Sequence, residues 1–276
     1  MNTDQAKTLS DNAVTKLMEA LEGGQSETLK SYLATMSRFH RYSWNNALLI
    51  YMQCPNAMHV AGFHAWLHMR RYVRKGEKGI VILAPIVGRK KSIDDELLED
   101  EQTKVFGFHA AHVFDISQTD GQDLPEFATV KGDPREHLQA LKALVASHSI
   151  ALDYDAAVAP AKGVSRGGCI TLLPGQPAAE EFSTLVHELA HEKLHRAERR
   201  TETTKTIRET EAEAVAFVVC HAIGLDTNTA AADYIKLYNG DRATLSASLQ
   251  LIQSTAAGIL TALNASAEPL QKAAAN

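Results

Sequence analysis

Glu181-Phe182-Ser183-Thr184-Leu185-Val186-His187-Glu188-Leu189-Ala190-His191-Glu192-Lys193-Leu194-His195-Arg196 is the stretch on which the reading of this chain turns. Phe182, Leu185, Val186, Leu189 and Leu194 recur at helical spacing, so the stretch predicts an amphipathic helix. His187 and His191 are four residues apart, which puts both imidazoles on one face and side by side. Glu188 is offset by one position, within reach of an attacking water without itself ligating, as a general base requires. The spacers Leu189 and Ala190 carry no charge, which suits a buried metal site. The plain alternative is a pair of solvent-exposed helix histidines with an incidental glutamate.

An overlapping match, His191-Glu192-Lys193-Leu194-His195, follows at once. Its spacer contains Lys193, a cation badly placed against a dication in a low-dielectric pocket. The first register is therefore preferred, with His187 and His191 as metal ligands and Glu188 as the catalytic residue. His187 and His195 lie eight residues apart, about 12 Å along a helix axis, so both cannot hold one ion. His195 is expected to support the site, to face the substrate, or to be a surface histidine.

A catalytic zinc site needs a third protein ligand and an open position for water. Glu209-Thr210-Glu211-Ala212-Glu213-Ala214-Val215-Ala216-Phe217 is helical in pattern, and its alanines allow close packing on the first helix. Glu211, 20 residues after His191, is the favoured third ligand, completing a set of two histidines and a glutamate. Glu209 and Glu213 are its rivals. The expected ion is Zn2+, with Mn2+ as the other candidate.

Working outward, Arg135 to Ser147 predicts a helix, Ala157-Val158 and Cys169 to Leu172 short strands, and Glu209 to Ile223, Ala230 to Tyr238 and Ala243 to Leu263 further helices. Ser117 to Pro134, rich in Gly, Asp, Thr and Pro, reads as a linker. Upstream of it, residues 5 to 36 have helical spacing broken at Gly23-Gly24, Trp44 to Met52 and Gly62 to Arg71 read as shorter helices, and Val105 to Phe114 as a strand. Tyr72-Val73-Arg74, the turn Lys75 to Gly79 and Ile80 to Leu83 predict a β-hairpin. The expected fold class is α+β in two domains: residues 1–125, helical with an antiparallel hairpin, and residues 126–276, mostly helical with a small sheet.

Charge is unevenly distributed along the chain. Residues 1 to 91 hold 13 Lys/Arg against 6 Asp/Glu, a balance of +7, and the remainder a balance of −12, within a net −5 for the 276 residues. The run Asp94 to Glu101 reads as an exposed loop between strands. In the basic stretch of residues 1–91, Arg38, Arg41, Arg70, Arg71, Arg74, Lys75 and Lys78 are candidates to neutralise phosphates. Tyr42, Trp44, Tyr72 and Trp66 offer faces for unpaired bases, with Trp66, between Phe63 and Leu67, read as core. Single-stranded DNA is thus the expected partner, since no element reads as a major-groove recognition helix. No apolar run is long enough to span a bilayer, and no signal-peptide pattern opens the chain, so no membrane partner is expected. Three widely spaced cysteines, none in CxxC, argue against a disulfide framework and for a reducing cytoplasm.

These residues carry a resemblance to the ArdC-type antirestriction proteins of plasmids and other mobile elements. Ser183 to His191 and Glu211 to Phe217 match in the second half; Tyr42 to Leu49, Gly62 to Trp66 and Val73 to Gly79 match in the first. The resemblance covers about Ser31 to Leu263, with a departure at Trp44-Asn45-Asn46, where many relatives have Gly-hydrophobic-Asn. It implies an N-terminal single-stranded-DNA-binding domain, a C-terminal zincin-like metallopeptidase domain and a role in conjugation. The second half is also similar to the ImmA/IrrE peptidases, which cleave regulatory proteins. Two functions compete: a zinc peptidase acting on a protein substrate the sequence does not name, and a single-strand-coating protein that uses the metal only to hold its fold.

Overall fold

The computed structural model describes residues 3–23, 26–89, 103–122, 134–225 and 241–274. The predicted acidic loop, most of the predicted linker and the helix expected over Ala230 to Tyr238 lie outside them. Among the described residues, helices α1 (Thr3–Glu22), α2 (Ser26–Arg38) and α3 (Trp44–Gln53) lead into β1 (Val60–Gly62), α4 (Phe63–His68), β2 (Arg71–Val73), β3 (Ile80–Arg89), β4 (Thr103–Asp115) and β5 (Thr119–Gly121). Then come α5 (Pro134–Ser147), β6 (Ala151–Tyr154), β7 (Gly163–Ser165), β8 (Cys169–Leu172), α6 (Ala178–Leu194), α7 (Ala197–Glu202), α8 (Lys205–Ala222) and α9 (Arg242–Ala274). The fold mixes helices with small sheets. No helix among the described residues is long and apolar enough to cross a membrane.

Two compact units emerge, one built from residues 1–14 and 48–124, the other from residues 15–47 and 125–276. The first holds a sheet in the order β1-β4-β3 and the ribbon β2-β5, all antiparallel. Its core gathers Leu48, Leu49, Ile50, Trp66, Ile80, Ile82 and Val113. Trp66 is fully buried and donates its indole N–H to Phe114 O at 2.9 Å, so this ring is core, as expected. Asp115 ties the ends together: its carboxylate accepts from Met58 N (2.8 Å), His59 N (3.0 Å) and Ser117 N (3.0 Å).

The predicted hairpin of residues 72–83 is not formed. β2 pairs with β5 (Tyr72 opposite Asp120), while β3 pairs with β4 over ten residues from Ile80–Val113 to Arg89–Thr103. Gly76 does turn the chain, at φ 91°, but a long ladder with β4 satisfies far more backbone groups than a three-residue one with β2. β5 and the short 3-10 turn at Ile116–Gln118 also occupy the start of the predicted linker.

The second unit buries the apolar faces of α6 and α8 against each other, and α8 also packs on α2 and α9. Phe182, Leu185 and Leu189 of α6 and Val215, Val218 and Val219 of α8 are buried, each worth about 1.5–3 kcal/mol. Ala212, Ala214 and Ala216 allow the close approach. Its sheet runs β6-β8-β7, β8 parallel to β6 and antiparallel to β7. The strand expected at Ala157-Val158 is a 3-10 turn capped by Asp155, whose side chain accepts from Ala157 N at 2.9 Å.

Candidate metal centre

Helix α6 carries His187 and His191 on one face, as their spacing requires, with Nε2 atoms 3.1 Å apart. Across from them, Glu209 of α8 places Oε2 3.5 Å from both nitrogens. Among the described residues these three form the group able to hold a metal ion. Donors at ~2.0–2.1 Å from a tetrahedral ion stand roughly 3.3 Å apart, so edges of 3.1, 3.5 and 3.5 Å fit one divalent ion. The carboxylate would neutralise part of its charge, and the Glu209 side chain is half-exposed.

Glu211, the favoured third ligand from sequence, is elsewhere. Two residues along a helix are about 200° of rotation, so Glu209 and Glu211 cannot face the same way. Glu211 is wholly buried, accepting from His195 Nε2 (2.9 Å), from Arg199 Nη1 (2.8 Å) and Nη2 (2.7 Å), and from Ser248 Oγ (2.6 Å). Burial opposes its ionisation, but these donors hold its carboxyl at about 2. Glu213, one turn beyond Glu209, lines the cleft beside His187 without joining the triangle.

Glu188 is buried at the floor of a cleft of about 610 Å³ lined also by Gly163, Thr184, His187 and Ala216. Burial first, and the Glu209 charge after it, raise its pKa, opposed by His187, His191 and a backbone hydrogen bond from Ser165. Burial alone would depress His187, yet its hydrogen bond to Glu209 and the fields of Glu188, Glu209 and Glu213 leave it raised. Glu209 is pushed down by the two imidazoles it faces, those of His187 and His191. Strand β7 passes close by: a Cβ on Gly163 would sit 2.7 Å from Thr184 Cγ2 and 2.9 Å from Glu188 Cγ. Among the described residues the unpaired strand edge beside Glu188 is that of β7. β8 is central, with both edges paired.

The remaining glutamate of the double motif is structural. Glu192 accepts from Ser165 Oγ, from Gly167 N and Gly168 N (both 2.8 Å) and from Arg196, which clamps the β7–β8 turn onto α6. Gly167 and Gly168 take φ 75° and 92°, which ordinary residues avoid. Sequence reasoning missed this role, and its signal was the Gly-Gly pair itself.

The nucleic-acid candidates fall on both units. Arg41 is exposed, while Arg38, Tyr42 and Trp44 are half-buried, with Tyr32 Oη donating to Trp44 O (2.8 Å) and Gln253 Nε2 to Tyr42 O (2.9 Å). In the other unit Arg70, Tyr72, Lys75 and Lys78 are exposed. Arg71 is buried, its guanidinium donating to Thr119 Oγ1 (2.8 Å) and Thr119 O (3.1 Å). Arg74 pairs with Glu77 (2.8 Å) and Asp120 (3.3 Å). These two cations serve β2–β5 and the turn.

Residues 6–114, from α1 to β4, match the family model of the N-terminal domain of anti-restriction factor ArdC. An uncharacterized protein of Bacillus anthracis is 25% identical over 315 aligned residues, which cover 98% of this chain and 53% of that protein, so the chain spans about half its length. The metal-free crystal structure of the antirestriction ArdC protein from plasmid R388 superposes with a TM-score of 0.52 at 19% identity, over 80% of this chain and 84% of that one, a likeness of fold. The Mn(II)-bound structure of the R388 protein aligns over 84% and 97% at 18% identity, with a TM-score of 0.49. Over residues 6–114 the chain is thus similar to the N-terminal domain of anti-restriction factor ArdC, and its fold is similar to that of the R388 antirestriction protein.

Proposed function

We propose that this ArdC-type chain joins a single-stranded-DNA-binding N-terminal part to a zincin-like, metal-dependent peptidase, and that both serve antirestriction. The observation that carries the peptidase reading is the convergence of His187, His191 and Glu209 beside a buried Glu188. A divalent ion bound there, zinc by the preference of two imidazoles and a carboxylate, would polarise a peptide carbonyl and acidify water. Glu188 takes the proton of the attacking water and delivers it to the leaving amine as the carbon–nitrogen bond breaks. The edge of β7, close beside Glu188 at Gly163, offers main-chain groups to an extended peptide.

The DNA-binding reading is supported by the exposed Arg41, Arg70, Lys75 and Lys78 and by the exposed ring of Tyr72.

The test is Glu188→Gln, assayed for metal content, for cleavage of casein and a peptide library, and for protection of incoming DNA. Cleavage should fall ~10²–10⁴-fold with metal retained. Full protection by a variant that holds metal and cleaves nothing would leave a metal-stabilised DNA-binding protein instead. Cleavage undiminished in Glu188→Gln would remove Glu188 from the reaction.

A further inference from the structure

The histidine that caps α6 has no place in the metal triangle, yet its ring is wholly buried and both ring nitrogens are engaged. His195 follows the last residue of α6, its backbone N–H donating to His191 O at 2.9 Å. Its Nδ1 lies 3.0 Å from His191 Nδ1, and its Nε2 lies 2.9 Å from Glu211 Oε2. Arg199 donates to both oxygens of Glu211, and Ser248 adds a further hydrogen bond.

With a neutral His195 ring, one placement of protons satisfies both of its contacts. An ionised carboxylate only accepts, so the proton between His195 and Glu211 sits on His195 Nε2. Arg199 already balances the Glu211 charge, so a neutral His195 ring suits this buried place, and its Nδ1 is then a bare acceptor. The proton between the two rings must come from His191 Nδ1. That leaves His191 Nε2 bare, and it is this nitrogen that faces His187 and Glu209. The same contacts dispose of the overlapping His191–His195 motif as a second ion site, because Arg199 occupies both Glu211 oxygens.

We infer that His195 is a positioning residue for the metal centre: backed by Glu211 and Arg199, it fixes the tautomer and ring orientation of His191 so that an unprotonated Nε2 points at the ion. This rests on the reading of His187, His191 and Glu209 as ligands. It acts through His191 and touches neither ion nor substrate.

The full chain, stripped of metal, is titrated with zinc by calorimetry and with cobalt by visible absorption, in wild type, His195→Phe, His195→Gln and Ser248→Ala. His195→Phe should lose ~10–100-fold in affinity and shift the cobalt bands. His195→Gln should restore affinity to within a few-fold, since its amide can accept from His191 and donate to Glu211. Ser248→Ala removes a Glu211 partner without touching either ring, so it should lower Tm and leave the cobalt spectrum unchanged. Wild-type affinity in His195→Phe overturns the inference, as does an equal loss in Ser248→Ala at the same Tm. Should His195→Phe not fold, ring 15N shifts of the metal-free wild type decide: protonation of His191 on Nδ1 supports the inference and protonation on Nε2 overturns it. A wild type that binds no ion would refute the metal reading, while the 15N result would still report on the hydrogen-bond chain.

Discussion

Glu209 and Glu211 stand two residues apart on α8 and serve opposite sides of it: Glu209 Oε2 lies 3.5 Å from the Nε2 atoms of His187 and His191, and Glu211 Oε2 lies 2.9 Å from His195 Nε2. Their alanine variants should therefore fail differently. Glu209→Ala should weaken metal binding ~100-fold or more, beyond what an outer hydrogen-bond partner contributes, with little change in the Tm of the metal-free protein. Glu211→Ala strands His195 and Arg199 and should cost roughly 3 kcal/mol of stability. Calorimetric titration beside thermal melts separates the two. Equal metal affinity in Glu209→Ala and wild type would remove Glu209 from the ligand set.

Gly163 is where β7 comes closest to Glu188. In Gly163→Ala the added carbon meets Thr184 and Glu188 at less than contact distance, so Glu188 must move. We expect ~1–3 kcal/mol of destabilisation and a lower kcat/KM with stoichiometric metal retained. Unchanged peptide cleavage by this variant would show that Glu188 has room to spare.

The Asp115 carboxylate gives the first unit a pH dependence. Burial would raise its pKa, but the hydrogen bonds from Ser117, His59 and Met58 more than offset this and leave it below the ordinary 3.8. A carboxyl whose folded pKa is depressed stabilises fully above the unfolded value and loses that contribution as pH falls through the lower folded one. Asp115→Asn should cost about 1–3 kcal/mol near neutrality, and its Tm deficit should shrink below pH 3.8. A deficit that stays constant down to acid unfolding would show the charge to be irrelevant.

Nucleic-acid binding should divide the cations into two classes. Lys75→Ala and Lys78→Ala, at exposed positions, should each make the salt dependence of single-strand affinity shallower by about 0.7 in log–log slope. Arg71→Ala should instead lower Tm, because its guanidinium holds β5. Fluorescence anisotropy with a labelled oligonucleotide across salt concentrations measures the first effect. A flat salt profile in wild type would show the basic balance of residues 1–91 to be only a solvated surface.

A fragment of residues 126–276 removes α2 from α8. Leu29, Leu33 and Met36 are buried on α2, at about 1.5–3 kcal/mol each. The fragment should melt well below the full chain, and adding back residues 15–47 should restore it. A fragment as stable as the full chain would show that α2 contributes nothing to this unit.

Much of this was legible along the chain because it is periodic. The spacing of His187 and His191, the offset of Glu188 and the apolar repeats of α1, α2, α5, α6, α8 and α9 are set by helix geometry, which is local. Residue type alone also marked the Lys75 to Gly79 turn and the β4 strand.

What tertiary structure decided was pairing. Three glutamates on one helix, Glu209, Glu211 and Glu213, are equivalent in composition, and only the direction from which α6 approaches α8 selects Glu209 for the histidine pair. Strand partners are likewise invisible locally: Ile80 to Leu83, expected against Tyr72 to Arg74, pair with β4, and the choice fell to the longer ladder. The cations show the same division. Arg71 and Lys78 are alike in sequence, but one is buried against Thr119 and the other exposed, because burial depends on what folds over a residue rather than on what precedes it.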